Sequence, residues 1–295
     1  MRICRYNTPD GRIRLGLWAR LSEPDGQLGP RLIYPYRNDW TGAELLQATL
    51  PPSELLEAAT EAPLPEDTRP LLPILDETPV WAMGVNYFRS CMIRSMRSPF
   101  KACYDHAFNA DMPPLFLKGA GVFACRDGDT VPLPGGGIRV WPGPTLGWIF
   151  NARLELLGFC LANDMLIPGM ESENPLRLGM SRVFHGHLGL GSALKLAERE
   201  GMGPWKIKAR VRRGEANVAQ GETNTEKMRW EVEHIRPFLE AWGPFPNGVV
   251  VLTGTEAVFE EDFTLEPGDQ IRIRARGLGG FDQVVGERAC PAVKA

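Results

Sequence analysis

From residue 80 onward this chain is a succession of short apolar or alternating runs with little helix between them, and that density of strand signals constrains the fold most. VWAMGVNY (80–87), PLFLKGAGVFA (114–124), GWIFN (147–151), ELLGFCLANDM (155–165), KIKARVRR (206–213), GVVVLTG (248–254) and QIRIRAR (270–276) all read as strands. Helical periodicity is clear only in MRWEVEHIRPFLEAWG (228–243), with a shorter candidate in FRSCMIRSM (88–96). Many strands without βαβ alternation predict a mixed α+β, mainly β domain.

The first third reads differently. Residues 1–36 alternate apolar and polar positions around Gly11, Gly16, Gly26 and Gly29, which predicts strands joined by turns. Residues 41–61 place leucines and alanines at helical spacing on either side of Pro51-Pro52, predicting two short helices, the second capped by Ser53. The proline-rich stretch 62–79 reads as an extended linker, because proline disfavours helix in the residue before it. A small N-terminal domain, 1–75, is therefore expected ahead of a larger one, 76–295.

Composition narrows the function classes. A formal net charge of -3 gives no electrostatic case for nucleic acid or an anionic membrane as partner. No apolar run approaches the roughly 20 residues that cross a bilayer, and the charged, alternating N-terminus reads as a first strand and not as a signal peptide. Six cysteines without a C-x-x-C pair predict reduced thiols in a cytoplasmic protein. There is no P-loop, no strand–GxGxxG–helix unit and no Gly-x-Ser-x-Gly elbow. Gly277-Leu278-Gly279-Gly280 reads as turn sequence.

Several motifs occur in a specific order: Gly84-Val85-Asn86-Tyr87 with Ser90 and Arg94, Pro114-Leu115-Phe116-Leu117-Lys118, Asn163-Asp164, Asn174-Pro175-Leu176, Ser181-Arg182-Val183-Phe184, Leu252-Thr253-Gly254-Thr255, and Phe263-Thr264-Leu265 before Pro267-Gly268-Asp269. Singly they are turn chemistry; in this order they form a signal. Over about residues 80–286 the chain resembles the fumarylacetoacetate hydrolase superfamily, and within it the sugar-acid branch typified by 2-keto-3-deoxy-arabinonate dehydratases. The resemblance implies a β-roll of that type with a small N-terminal domain, a homodimer, and a small-molecule substrate.

That resemblance also implies a divalent metal held by two glutamates of a Pro-Glu-Pro-Glu-Leu strand and the aspartate of Asn-Asp. Here the strand reads Pro142-Gly143-Pro144-Thr145-Leu146, so Asp164 alone is retained. Mg²⁺ asks for near-octahedral oxygen coordination, which one carboxylate and a neutral threonine supply poorly. No cofactor is expected, with Mg²⁺ or another divalent ion bound weakly if at all. His185 and His187, at i and i+2, share a face if extended, and with Asp164 they offer an alternative metal site.

The residues expected to carry chemistry are Asp164, Lys118, Arg182, Glu171, Glu173 and His185, with Arg94, Thr255, Thr145 and Leu166 against the substrate. Arg182 stands where relatives place a lysine; it cannot act as a base but can clamp a carboxylate. Glu171 and Glu173 lie in the segment that acts as a lid in relatives, where desolvation and a raised pKa suit acid–base work. Leu166-Ile167-Pro168-Gly169 replaces a polar Ser-x-Arg-Asp, which favours a less charged ligand. Three readings follow. The favoured one is a divergent enzyme for a 2-oxo acid or β-dicarbonyl compound, acting by dehydration, decarboxylation or C–C hydrolysis without metal. The others are a silent homologue kept as a binding or partner subunit, and an enzyme with metal relocated to Asp164, His185 and His187.

Overall fold

The alternating N-terminal sequence folds as a meander of β1 (Arg2–Asn7), β2 (Ile13–Ser22) and β3 (Leu28–Pro35). The structure, a computed structural model, describes residues 1–22, 28–135, 137–197 and 203–288; Gly26 and Cys290 lie outside them. Helix α1 (Gly42–Leu46) opens with a capping box in which Thr41 and Glu44 satisfy each other's backbone N–H. Helix α2 (Pro52–Glu57) starts without any side-chain cap. Ser53 was expected to be that cap but sits inside the first turn, because Pro52 supplies the pre-set φ of a first helical residue.

The second part runs β4 (Pro79–Met83), α3 (Phe88–Arg97), α4 (Lys101–Asn109), β5 (Leu115–Ala120), β6 (Thr130–Leu133), β7 (Pro144–Phe150) and β8 (Leu156–Asp164). It continues with α5 (Met170–Glu173), α6 (Leu178–Arg182), β9 (Leu188–Leu190), β10 (Leu194–Leu196), β11 (Lys206–Arg213) and β12 (Ala216–Asn224). Last come α7 (Val232–Trp242), β13 (Val249–Leu252), β14 (Gln270–Ala275) and β15 (Gly279–Arg288). The mainly β, α+β expectation is met. Gly279 and Gly280, read as turn, instead open β15 and pair with Ala275 and Arg274.

A ten-stranded sheet runs β3-β2-β1-β10-β8-β7-β13-β4-β5 with β9 beside β8; a five-stranded sheet runs β12-β11-β14-β15-β6. Every residue of β7 is buried, as is nearly all of β8. Strands covered on both faces need no polar alternation, which is why these two read as continuous apolar runs. On one face Trp148, Phe159 and Leu161 pack against Ile207, Val211, Ile273 and Phe281 of the second sheet. On the other, Ile149, Leu157 and Val250 pack against Ile3, Leu15, Leu45, Leu46 and Leu55 from the N-terminal segment. The sheet also passes through the expected boundary, since β1 pairs with β10 (Arg2↔Lys195, Ile3↔Leu194). What this arrangement positions is the far end of β8, where Asp164 emerges from the core beneath α5 and α6.

Candidate active site

At the start of the β7–β8 pair the two backbones come unusually close. Asp164 N donates to Gly143 O at 2.8 Å, and Gly143 N donates to Asn163 Oδ1 at 2.8 Å. A Cβ placed on Gly143 would lie 2.0 Å from the Asp164 carbonyl oxygen, a separation no side chain tolerates. Two residues further on, in β7, Thr145 is buried and its hydroxyl donates to Gly254 O at 2.6 Å. The Gly143 position is therefore closed by backbone, and the Thr145 side chain is committed to holding the Thr253-Gly254-Thr255 turn.

Asp164 is itself enclosed by cations. Lys118 Nζ lies 2.7 Å from its Oδ1 and Arg182 Nη1 lies 3.4 Å from its Oδ2, all three side chains being buried. The Lys118 ammonium also donates to the carbonyls of Met165 and Arg182, so its three protons face three acceptors. Burial alone would raise the Asp164 carboxyl; Lys118 and Arg182 outweigh it and hold the acid below its ordinary range. A divalent cation does not fit there: one carboxylate is offered, with an ammonium 2.7 Å and a guanidinium 3.4 Å from its oxygens.

Arg182 turns its Nε to Glu171 Oε2 at 3.0 Å, and Arg94 Nε meets Glu171 Oε1 at 2.6 Å. Lys118, Asp164, Arg182, Glu171 and Arg94 thus form a chain of alternating charge. Glu171 does not have the raised pKa expected of a desolvated lid acid. Burial raises it, but Arg182 and Arg94 outweigh burial and bring it down to about 2. The sequence left open whether Glu171 is desolvated, and it gave no sign of the two arginines converging from α3 and α6.

Beside Glu171 opens a cavity of about 240 Å³ whose wall includes Arg94, Trp141, Leu166, Thr255 and Glu256. Asp164, Lys118, Arg182 and Thr145 stand behind that wall, not in it. Thr255 is fixed by Thr223 Oγ1 at 2.6 Å and by the Ala257 N–H at 3.1 Å. Glu173, grouped with Glu171 by sequence, points outward and pairs with Arg177 at 3.3 Å. His185 is exposed, while His187 is buried with Nε2 at 2.8 Å from the Lys118 carbonyl and Nδ1 against the Phe184 carbonyl. Gly186 at φ +82° turns the chain between them, so the shared face predicted for an extended segment does not form. Among the described residues no group of three His, Cys, Asp or Glu side chains is placed to hold a metal.

Sequence reasoning passed over three residues here. Asn86 donates to Thr253 O at 3.0 Å and accepts from Trp230 N at 2.9 Å, which locks the Thr-Gly-Thr turn to the strand β4 end. Glu256, next to Thr255, is buried, takes the Asn224 N–H at 3.1 Å and stands 3.7 Å from Lys227. Arg139 reaches the cavity from the β6–β7 connection. Asn86 stands within a quoted motif, though without a role of its own, Glu256 stands next to one, and nothing marked Arg139.

Comparison with known proteins agrees with this architecture. The profile described as "Fumarylacetoacetate (FAA) hydrolase C-terminal" matches residues 80–286, and the chain belongs to the fumarylacetoacetate hydrolase family. It is 28% identical over 212 residues to a protein of Haloferax volcanii named "Probable 2-keto-3-deoxyxylonate dehydratase", covering 72% of this chain and 73% of that one. It is 26% identical to the "2-dehydro-3-deoxy-D-arabinonate dehydratase" of Saccharolobus solfataricus, over 70% of each. A solved 2-keto-3-deoxy-D-arabinonate dehydratase complexed with magnesium and 2,5-dioxopentanoate superposes with a TM-score of 0.76 at 21% identity, covering 98% of this chain and 99% of that one. The 2-hydroxyhepta-2,4-diene-1,7-dioate isomerase of Mycobacterium marinum superposes with a TM-score of 0.67 at 18% identity, covering 98% and 100%. These structural likenesses carry the fold.

Proposed function

We propose that the protein is an enzyme that acts on a small 2-oxo acid or β-dicarbonyl compound, by dehydration, decarboxylation or C–C hydrolysis, without the divalent metal that the resemblance implies. The dehydratase names of its relatives support the substrate class. The observation that carries the metal-free part is the 2.0 Å approach that bars a side chain at Gly143, together with the cations on Asp164. In place of a metal, the guanidinium groups of Arg94 and Arg182 and the Thr255 hydroxyl serve as fixed donors to a carboxylate and a developing enolate oxygen. Glu171, on the same wall, is held ionised by Arg94 and Arg182.

The test is turnover of a panel of 2-keto-3-deoxy sugar acids and acylpyruvates in excess chelator. Product formation unaffected by chelator is expected; activity that appears only with added Mg²⁺ or Mn²⁺ would sink the reading. A second reading, a silent homologue that binds without turning over, is favoured by one observation: the cavity stops short of Asp164 and Lys118. Binding of the same acids with no product under any metal condition selects it.

We further place the protein in the cytoplasm as a homodimer. Among the described residues no helix is long and apolar enough to cross a membrane. Strand β5 ends the large sheet, and Leu117, Val122 and Phe123 are exposed there, with Met180 and Val183 exposed at α6. An unpaired edge flanked by exposed apolar side chains is a surface that a second subunit covers.

A further inference from the structure

We propose that the Glu171 side chain is an internal occupant of a carboxylate-binding site, and that a 2-oxo monocarboxylate with an apolar chain binds by displacing it. The proposal rests on the functional reading above and deepens it by naming the ligand class and the step that admits it.

Both oxygens of Glu171 are held by guanidinium nitrogens, at 2.6 Å from Arg94 and 3.0 Å from Arg182, in the manner an arginine pair holds a ligand carboxylate. The clamp itself is built from elsewhere: Arg94 comes from α3, braced on the Ser90 carbonyl at 3.2 Å, and Arg182 comes from α6. Glu171 alone is delivered by the lid. Its helix α5 is a single turn that follows Gly169 at φ +86°, where the chain has open space around it. Besides the arginines, the lid is tied to α3 and α4 by Tyr104, whose hydroxyl donates to the Glu171 carbonyl at 2.7 Å, and by Ser98, which donates to the Ser172 carbonyl.

Charge sets the ligand. The cavity wall carries Arg94, Arg97 and Arg139 against Glu171, Glu256 and Glu261. Withdrawing Glu171 leaves one positive charge in surplus, which matches one carboxylate. Arg97 pairs with the Glu261 carboxylate at 3.1 Å, and the Arg139 guanidinium donates to the Glu261 backbone carbonyl. The rest of the wall includes Ile93, Trp141, Leu166, Ile167 and Val258, which favours an apolar chain. Exchanging one carboxylate for another keeps both guanidinium groups paired, so the exchange never leaves a buried cation bare. It also joins the cavity to Arg182 and Asp164 behind it, placing the 2-oxo group against the charge chain.

The lid carboxylate then acts as a competitor, and apparent affinity falls by the fraction of molecules in which it occupies the clamp. Isothermal titration of 2-oxohexanoate, in chelator at neutral pH, separates this from a role in ligand contact. Glu171→Gln is expected to bind at least tenfold tighter than wild type, while hexan-2-one, which lacks the carboxylate, shows no such gain. Arg94→Gln added to Glu171→Gln should reverse the gain at least tenfold. Tyr104→Phe, which loosens the lid without touching the clamp, should tighten binding by a smaller factor and guards against a Glu171→Gln protein that fails to fold. Equal or weaker binding by Glu171→Gln and Tyr104→Phe, or no binding by any variant, overturns the proposal. Turnover is read on the wild-type protein: affinities that shift as expected with no wild-type product sink the metal-free enzyme and leave the exchange standing, and wild-type product with unchanged affinities does the reverse.

Discussion

Lys118 and Asp164 show how one residue type changes role with its surroundings. Both were expected to be catalytic, yet neither lines the cavity, and each neutralises the other in a fully buried setting. Removing one partner of such a pair leaves an uncompensated charge, a loss of about 3–5 kcal/mol. Lys118→Met and Asp164→Ala should each lower stability by that order in urea denaturation, and the double variant should lose less than the sum. Additive losses would mean that the pair is not coupled. Gly143 gives the complementary test. Because a Cβ there meets the Asp164 carbonyl at 2.0 Å, Gly143→Glu with Thr145→Glu should not recreate a metal site. We expect about 1–3 kcal/mol of destabilisation from overpacking and no stoichiometric metal by elemental analysis.

For helix α5, the acid limb of stability is the informative measurement. Glu171 falls from its ordinary 4.5 to about 2 in the folded protein, and Asp164 is also lowered. A depressed folded pKa means that the unfolded chain takes up the proton first. Its contribution is thus complete above the unfolded value and is lost as pH falls through the folded one. Urea midpoints should therefore drop between about pH 4.5 and pH 2, and the drop should be shallower in Glu171→Gln. Parallel curves for the two proteins would show that the arginine pairs at α5 do not matter to the fold. Residues 178–182 belong to the same question, since α6 supplies Arg182 and its outer face carries the exposed Met180.

In the whole molecule, the N-terminal strands are structural partners of the rest. The boundary we place near residue 75 marks a change of sequence character, but β1 pairs with β10 and Ile3, Leu15 and Leu45 cover Ile149 and Leu157. Expressed alone, 76–295 should expose that face and show a broad, uncooperative thermal melt by circular dichroism; a sharp melt would make it an independent domain. Association is tested at the β5 edge: Phe123→Glu should shift the sedimentation of a homodimer towards monomer.

Strand content and the order of motifs were legible, because period-2 patterning and turn residues are local properties of the sequence. The backbone approach at Gly143 was not, since a glycine in a string cannot reveal which carbonyl will press against it. His185 and His187 parted for the same kind of reason, a left-handed Gly186 between them. Nor could spacing foretell that Arg94 and Arg182, far apart in the chain, converge on one lid carboxylate and reverse the direction of its pKa shift. Sequence alone determined which side chains this site can draw on; tertiary packing decided which face the cavity and which are sealed behind it, because charge pairing acts through distances that only the fold creates.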